Sequence, residues 1–191
     1  GGVRQESANL WVGLLSLRLG RYRLQADEHY AALLNPHRSL RGLVTLAALY
    51  HDAAKPLTGA VDASGEVHFY EHHEQGARLA HARLAALRLS NAEIERLETI
   101  VRHHMRPLLL GQGGTLPTRR AIYRFYRDCG PAGVDICFLS LADFLATYGP
   151  SVYQDAWLHH LDVVRMLLDA WWESPAEVVS PPALLDGNDA A

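Results

Sequence analysis

The stretch from Leu43 to Pro56 constrains the fold more than any other part of the chain. Leu43, Leu46, Ala47 and Tyr50 recur at helical spacing. The run then ends in an adjacent His51-Asp52, followed by Lys55 and by Pro56, which stops the helix. A helix with one buried face therefore delivers an imidazole and a carboxylate at its end, where burial without a partner is costly. Two arrangements answer that cost. One is a hydrogen-bonded His-Asp pair at the helix terminus. The other is a divalent cation, for which imidazole nitrogen and carboxylate oxygen are both good ligands.

The rest of the chain reads as further helices. Apolar runs over Leu10–Leu19, Gln25–Leu34, His72–Leu89, Arg119–Asp128, Val134–Tyr148 and Val152–Glu173 are separated by Gly, Pro and Asn breaks. Ser39 is the expected N-cap of the helix that enters His51. Ser90-Asn91-Ala92-Glu93 is a capping box, and its helix is expected to continue through His104 to Pro107. Thr58 to Gly65 reads as a loop, and no segment alternates as a strand should. The expected fold is all-α, a bundle of about six to eight helices over residues 1–173, with a Pro- and Gly-rich tail over 174–191. With 191 residues and 49% hydrophobic content, the chain can bury one sizeable core.

Net charge of −3 argues against a strongly electrostatic nucleic-acid binder. Arg119, Arg120, Arg124 and Arg127, interleaved with Tyr123, Phe125 and Tyr126, could touch a nucleic-acid backbone, but with a negative net charge a solvated helix face accounts for them better. Cys129 and Cys137 match no metal or redox spacing and read as reduced thiols, which points to a cytoplasmic protein. No apolar run is long enough to span a bilayer and no signal peptide is present; the opening Gly1-Gly2-Val3, without Met, is expected of a segment of something longer.

Eleven histidines point mildly to a metal. His104 shares a face with Ile94, Leu97 and Val101, which turns it inward and His103 outward. His73 aligns with Ala77, Ala80, Leu84 and Leu87, whereas His72 aligns with Gln75, Leu79 and Arg83, so His73 is the expected inward residue. Each of His73 and His104 alone reads as a hydrogen-bonded core histidine; together, beside His51-Asp52, they favour a shared polar site. Asp143 sits among apolar neighbours and needs either an arginine (Arg119, Arg120 or Arg124) or a cation. Lys55 is either a solvated helix-end cation or a group that binds phosphate and stabilises developing charge.

Three stretches, Ala47-Ala48-Leu49-Tyr50-His51-Asp52-Ala53-Ala54-Lys55-Pro56, Val67 to Ala77 and Ile100 to Pro107, with Ser140-Leu141-Ala142-Asp143 and Pro181 to Asp189, resemble the HD domain of bacterial tRNA nucleotidyltransferases. That domain belongs to the HD superfamily of metal-dependent phosphohydrolases. The resemblance covers roughly residues 40 to 189. It implies an HD-type helical bundle in which His51, Asp52 and Asp143 hold one divalent ion, with His73 and His104 matching histidines of a second. The ion would be Mg, Mn, Ni, Fe or Zn. Implied chemistry is hydrolysis of phosphomonoesters or cyclic phosphodiesters on nucleotides or RNA ends, with Asp52 and Lys55 catalytic and Lys55 and Arg106 on the substrate. Implied partners are that substrate, tRNA and a second copy of the chain in a homodimer, with no membrane.

Two departures accompany the resemblance. The Gly-rich loop and carboxylates of the nucleotidyltransferase head are not in this sequence. The first His of the signature is also missing, its place falling near Gly13; His29, 22 residues before His51, is the candidate substitute. The alternative function is a degenerate, non-catalytic HD module that positions RNA or a partner domain.

Overall fold

A computed structural model describes residues 2–151 and 153–179. Its eight helices of nine or more residues are α1 (Gly2–Leu19), α2 (Arg23–Ala31), α3 (Leu40–Tyr50), α5 (His72–Ala86), α6 (Asn91–His103), α8 (Arg119–Cys129), α9 (Ala132–Tyr148) and α10 (Gln154–Trp172). Two short helices, α4 (Lys55–Thr58) and α7 (Arg106–Leu110), punctuate them. The fold is all-α. The segment Pro181–Asp189, which carries the last part of the resemblance, lies outside the described residues.

Local signals set the helix ends. Ser39 Oγ accepts from the Gly42 amide at the start of α3, and Thr118 Oγ1 accepts from Ala121 at the start of α8. Ser90 and Glu93 form a complete capping box on α6. The helix expected to run through His104 stops at His103, and α7 begins at Arg106 with Pro107 in its first turn. At the α8–α9 turn, Gly130 has φ of 51°, and a Cβ on Gly133 would lie 2.5 Å from the Tyr126 ring. No side chain fits there.

The strand-free expectation fails in two places. β1 (Leu33–Asn35) pairs with β2 (Arg38–Ser39), and β3 (Gly59–Val61) pairs with β4 (Val67–Phe69), both antiparallel. The strands of these hairpins are two or three residues long and mostly exposed, so they carry no inside–outside alternation for a sequence to display. β1 takes residues that the sequence assigned to the second helix.

The core lies between α3, α5, α6, α8, α9 and α10, with Trp11 and Leu19 of α1 packed into it. Trp157, His160, Leu161, Val164, Leu167 and Leu168 bury one face of α10 at helical spacing. α9 is buried on nearly every side from Ala132 to Leu141, so it runs through the middle of the bundle. No single described helix is long and apolar enough to cross a membrane.

Candidate metal centre

The end of α3, the start of α5, the end of α6 and the middle of α9 meet at one point. His51 Nε2 lies 3.3 Å from Asp52 Oδ2 and 3.3 Å from Asp143 Oδ1. On the other side of the same carboxylate, Asp52 Oδ1 lies 3.5 Å from His72 Nε2 and 3.8 Å from His104 Nε2. His51, Asp52 and His104 offer ligand atoms all within 4.8 Å of one another.

A shared backbone device aims the three imidazoles. Each uses Nδ1 to donate to the carbonyl three residues earlier: His51 to Ala48 at 2.7 Å, His72 to Phe69 at 2.9 Å and His104 to Val101 at 2.7 Å. A carbonyl only accepts, so Nδ1 carries a proton in all three rings. In His72 and His104 this turns the Nε2 lone pair to the centre, whereas His51 Nε2 faces the Asp143 and Asp52 carboxylates. Among the described residues, Asp52 Oδ1, His72 Nε2 and His104 Nε2 are buried without any hydrogen-bond partner. Three such atoms facing one another are costly unless something electropositive lies among them. Bare imidazole nitrogens and carboxylate oxygens are what a divalent ion takes, so this donor set fits a cation.

Without a cation, a proton does part of that work. Burial pushes His51 down, but hydrogen bonds from its ring to the Asp143 and Asp52 carboxylates outweigh it and raise the imidazole from 6.5 to about 10. The hydrogen bond from His51 holds Asp143 below the usual carboxylate range against its own burial. Burial pushes His104 down to about 4.

The pH dependence of the ion-free protein follows from the two shifts. His51 binds its proton more tightly folded than unfolded, so its stabilising contribution is complete below pH 6.5 and is lost as pH rises toward 10. His104 binds its proton less tightly folded, so stability falls as pH drops from 6.5 toward 4. In chelator, Tm is expected to peak near neutrality and fall on both sides. A saturating divalent ion should flatten the alkaline limb, because a ligating His51 has no proton to lose. Thermal denaturation from pH 5 to 9, with and without the ion, checks this; a Tm in chelator that is level above pH 6.5 contradicts it.

The sequence-derived residues do not all arrive. His51, Asp52, His104 and Asp143 come together, but His72 stands where His73 was expected. The core face of α5 packs on α6, and the centre lies at the edge of that face, beside the end of α3. Gly76, one turn after His72, marks this edge: a Cβ there would sit 3.3 Å from Val101 Cγ1 and 3.6 Å from the His51 carbonyl. That glycine, four residues on, is the signal for His72 that a count of apolar partners passes over.

His29 does not reach the centre. Its Nε2–H donates to Asp135 Oδ1 at 2.7 Å, and Arg96 Nε donates to Asp135 Oδ2 at 2.6 Å. Asp135, not Asp143, is the fully buried acid of α9, with 0% exposure against 29% for the Asp143 side chain. Gly13 falls within α1 and offers no side chain. None of the arginines considered for Asp143 takes it; Arg119 instead pairs with Glu177.

Two clefts border the centre. The smaller, about 140 Å³, is lined by Lys55, His104, Met105, Ser140, Asp143 and Thr147, among others. Lys55 Nζ there donates to Asp52 Oδ2 at 2.6 Å. A larger cleft of about 480 Å³ borders His72 and His73 and carries Arg106 on its wall, where Arg106 Nη1 donates to Asp128 at 2.8 Å.

A family model described as "HD domain" matches residues 12–147. The chain belongs to the HD domain family. Its paired His51-Asp52 at the end of α3 is the dipeptide on which the centre is built. Two curated tRNA nucleotidyltransferases are similar to it. The CC-adding tRNA nucleotidyltransferase of Thermus thermophilus is 40% identical over 114 residues, which is 59% of this chain and 24% of that protein. The A-adding tRNA nucleotidyltransferase of Deinococcus radiodurans is 33% identical over 175 residues, which is 89% of this chain and 38% of that protein. This HD domain chain therefore spans well under half the length of either relative.

Proposed function

We propose that this HD domain is a metal-dependent phosphohydrolase acting on the phosphates of nucleotides or RNA ends, within a tRNA nucleotidyltransferase-like protein. The observation that carries the proposal is the two-sided placement of Asp52. One carboxylate oxygen faces His51, with Asp143 beyond it, and the other faces His72 and His104. His51, Asp52 and Asp143 would hold one divalent ion, and His72 and His104 a second that shares Asp52. When bound, such ions acidify water and clamp phosphate oxygens.

This chain's residues divide the remaining work. The carbonyls of Ala48, Phe69 and Val101 fix the three rings through Nδ1, so that each would offer Nε2 to an ion. Lys55, held beside the centre by Asp52, places an ammonium on the smaller cleft, where phosphate charge would be neutralised. In the ion-free chain the hydrogen bond from His51 keeps Asp143 negative against partial burial, so the carboxylate would be ready to take an ion.

Purified protein is expected to hydrolyse a nucleoside 2′,3′-cyclic phosphate or a nucleoside monophosphate with Mn²⁺, Ni²⁺ or Mg²⁺ added, and to lose that activity in chelator. A chain that binds none of these ions and leaves both substrates intact would instead be the non-catalytic module that positions RNA or a partner domain. One observation favours this second reading: the signature's first histidine has no replacement, because His29 is committed to Asp135.

A further inference from the structure

The larger cleft adds to histidines and acids like those of the centre an apolar and aromatic wall that the centre lacks. Its volume, about 480 Å³, is in the range of small-molecule sites. Phe69 and Tyr70 form one part of the wall and Met105 and Leu109 another. Both aromatics are substantially exposed, Tyr70 at 63%. The cleft also contains cations, but they are committed: Arg102 donates to Glu98 and Glu74, and Arg106 to Asp128. A second phosphate would therefore find no free guanidinium there, whereas an uncharged planar group would find aromatic and thioether surface.

The cleft is joined to the centre at three residues. His72 borders the cleft and turns its Nε2 toward Asp52. Met105 borders both clefts. Lys55 Nζ lies 5.6 Å from the centroid of the Phe69 ring. The link from Phe69-Tyr70 to His72 is Glu71, a non-glycine residue in the left-handed region at φ 55°. Such strain persists only where its surroundings hold it and concentrates at ligand-binding positions.

We propose that this cleft seats the nucleobase of the nucleotide whose phosphate occupies the centre, with Tyr70 and Phe69 as the stacking and specificity-determining residues. The inference rests on the phosphohydrolase reading for the position of the phosphate, but the base is read by surfaces outside the centre. Base–aromatic stacking is tolerant of sequence, so a free nucleotide and the last nucleotide of an RNA offer the same chemistry.

Calorimetric titration of the whole chain tests this without hydrolysis. Probes are adenosine, and the 5′-methylenephosphonates of adenosine and ribose, whose P–C bonds resist cleavage. Adenosine is expected to bind by itself, and the adenosine phosphonate to bind about tenfold tighter than the ribose phosphonate. Tyr70→Ala and Phe69→Leu should each erase most of that preference, and Tyr70→Ala should do so while leaving the ribose phosphonate and the metal content unchanged. An oligoadenylate ending in the same group separates the sources: equal affinity assigns a single nucleotide, and tighter binding assigns an RNA end. No preference for the base in the wild-type chain, or a preference that survives both substitutions, would overturn the proposal. Absence of hydrolysis with a base preference retained would remove the phosphohydrolase and leave the base site standing.

Discussion

Asp52→Ala is expected to remove bound divalent ion and to lower kcat/KM for phosphate-ester hydrolysis by about a thousandfold or more, the equivalent of several kcal/mol of transition-state stabilisation. The effect should exceed that of any single histidine substitution, because Asp52 alone faces both halves of the centre through separate oxygens. Asp52→Asn, which keeps the volume, should give the same loss with an unchanged helical circular dichroism spectrum. Metal analysis of the purified variants and their steady-state kinetics are the measurements. Full metal content with wild-type turnover in either variant would refute the centre. Lys55→Ala makes the contrast: it frees Asp52 Oδ2 from an ammonium without removing a metal donor. It should therefore retain its ion and lose activity by a smaller factor, about ten- to a hundredfold, through weaker phosphate binding.

Asp135→Ala should be the most destabilising substitution among the charged residues of the bundle. Its carboxylate is wholly enclosed and accepts from His29 and Arg96, and Arg96 also donates through Nη2 to the Pro131 carbonyl at 2.8 Å. Removing the acid leaves a guanidinium in a poorly solvated place with no counter-charge, a change that costs about 3–5 kcal/mol. For a chain of this length, that lowers Tm by roughly 10 °C. Metal content should be retained, since none of these three groups is hydrogen-bonded to the centre. The companion variant His29→Ala separates a structural histidine from a ligand: Tm should fall and metal affinity should not. A His29→Ala protein that folds at the wild-type Tm but has lost its ion would return His29 to the centre.

These two acids of α9 show how unevenly a site is written in a sequence. Asp143 stands out because its neighbours are apolar, yet its side chain is only partly covered and answers to His51, 92 residues away. Asp135 reads as an ordinary acid in the first turn of a helix. It is buried because Arg96 and His29, 39 and 106 residues away in sequence, converge on it. His72 and His73 make the same point within one helix. Periodicity aligns His73 with the apolar face that packs on α6, yet His72 is the buried residue and His73 is only half-buried. The centre draws its ligand from the rim, where the close approach of Gly76 to α3 decides which neighbour is enclosed.

Sequence alone determined the helical class, the capping residues, the joining of His51 to Asp52 at the end of an apolar helix and the inward side of α6, because each follows from contacts within a few residues of chain. Only the tertiary structure decided which histidine of α5 meets Asp52 and that His29 serves Asp135. Those outcomes depend on where separate helices cross and how closely they approach. Crossing is set by the packing of whole surfaces, which no local period encodes.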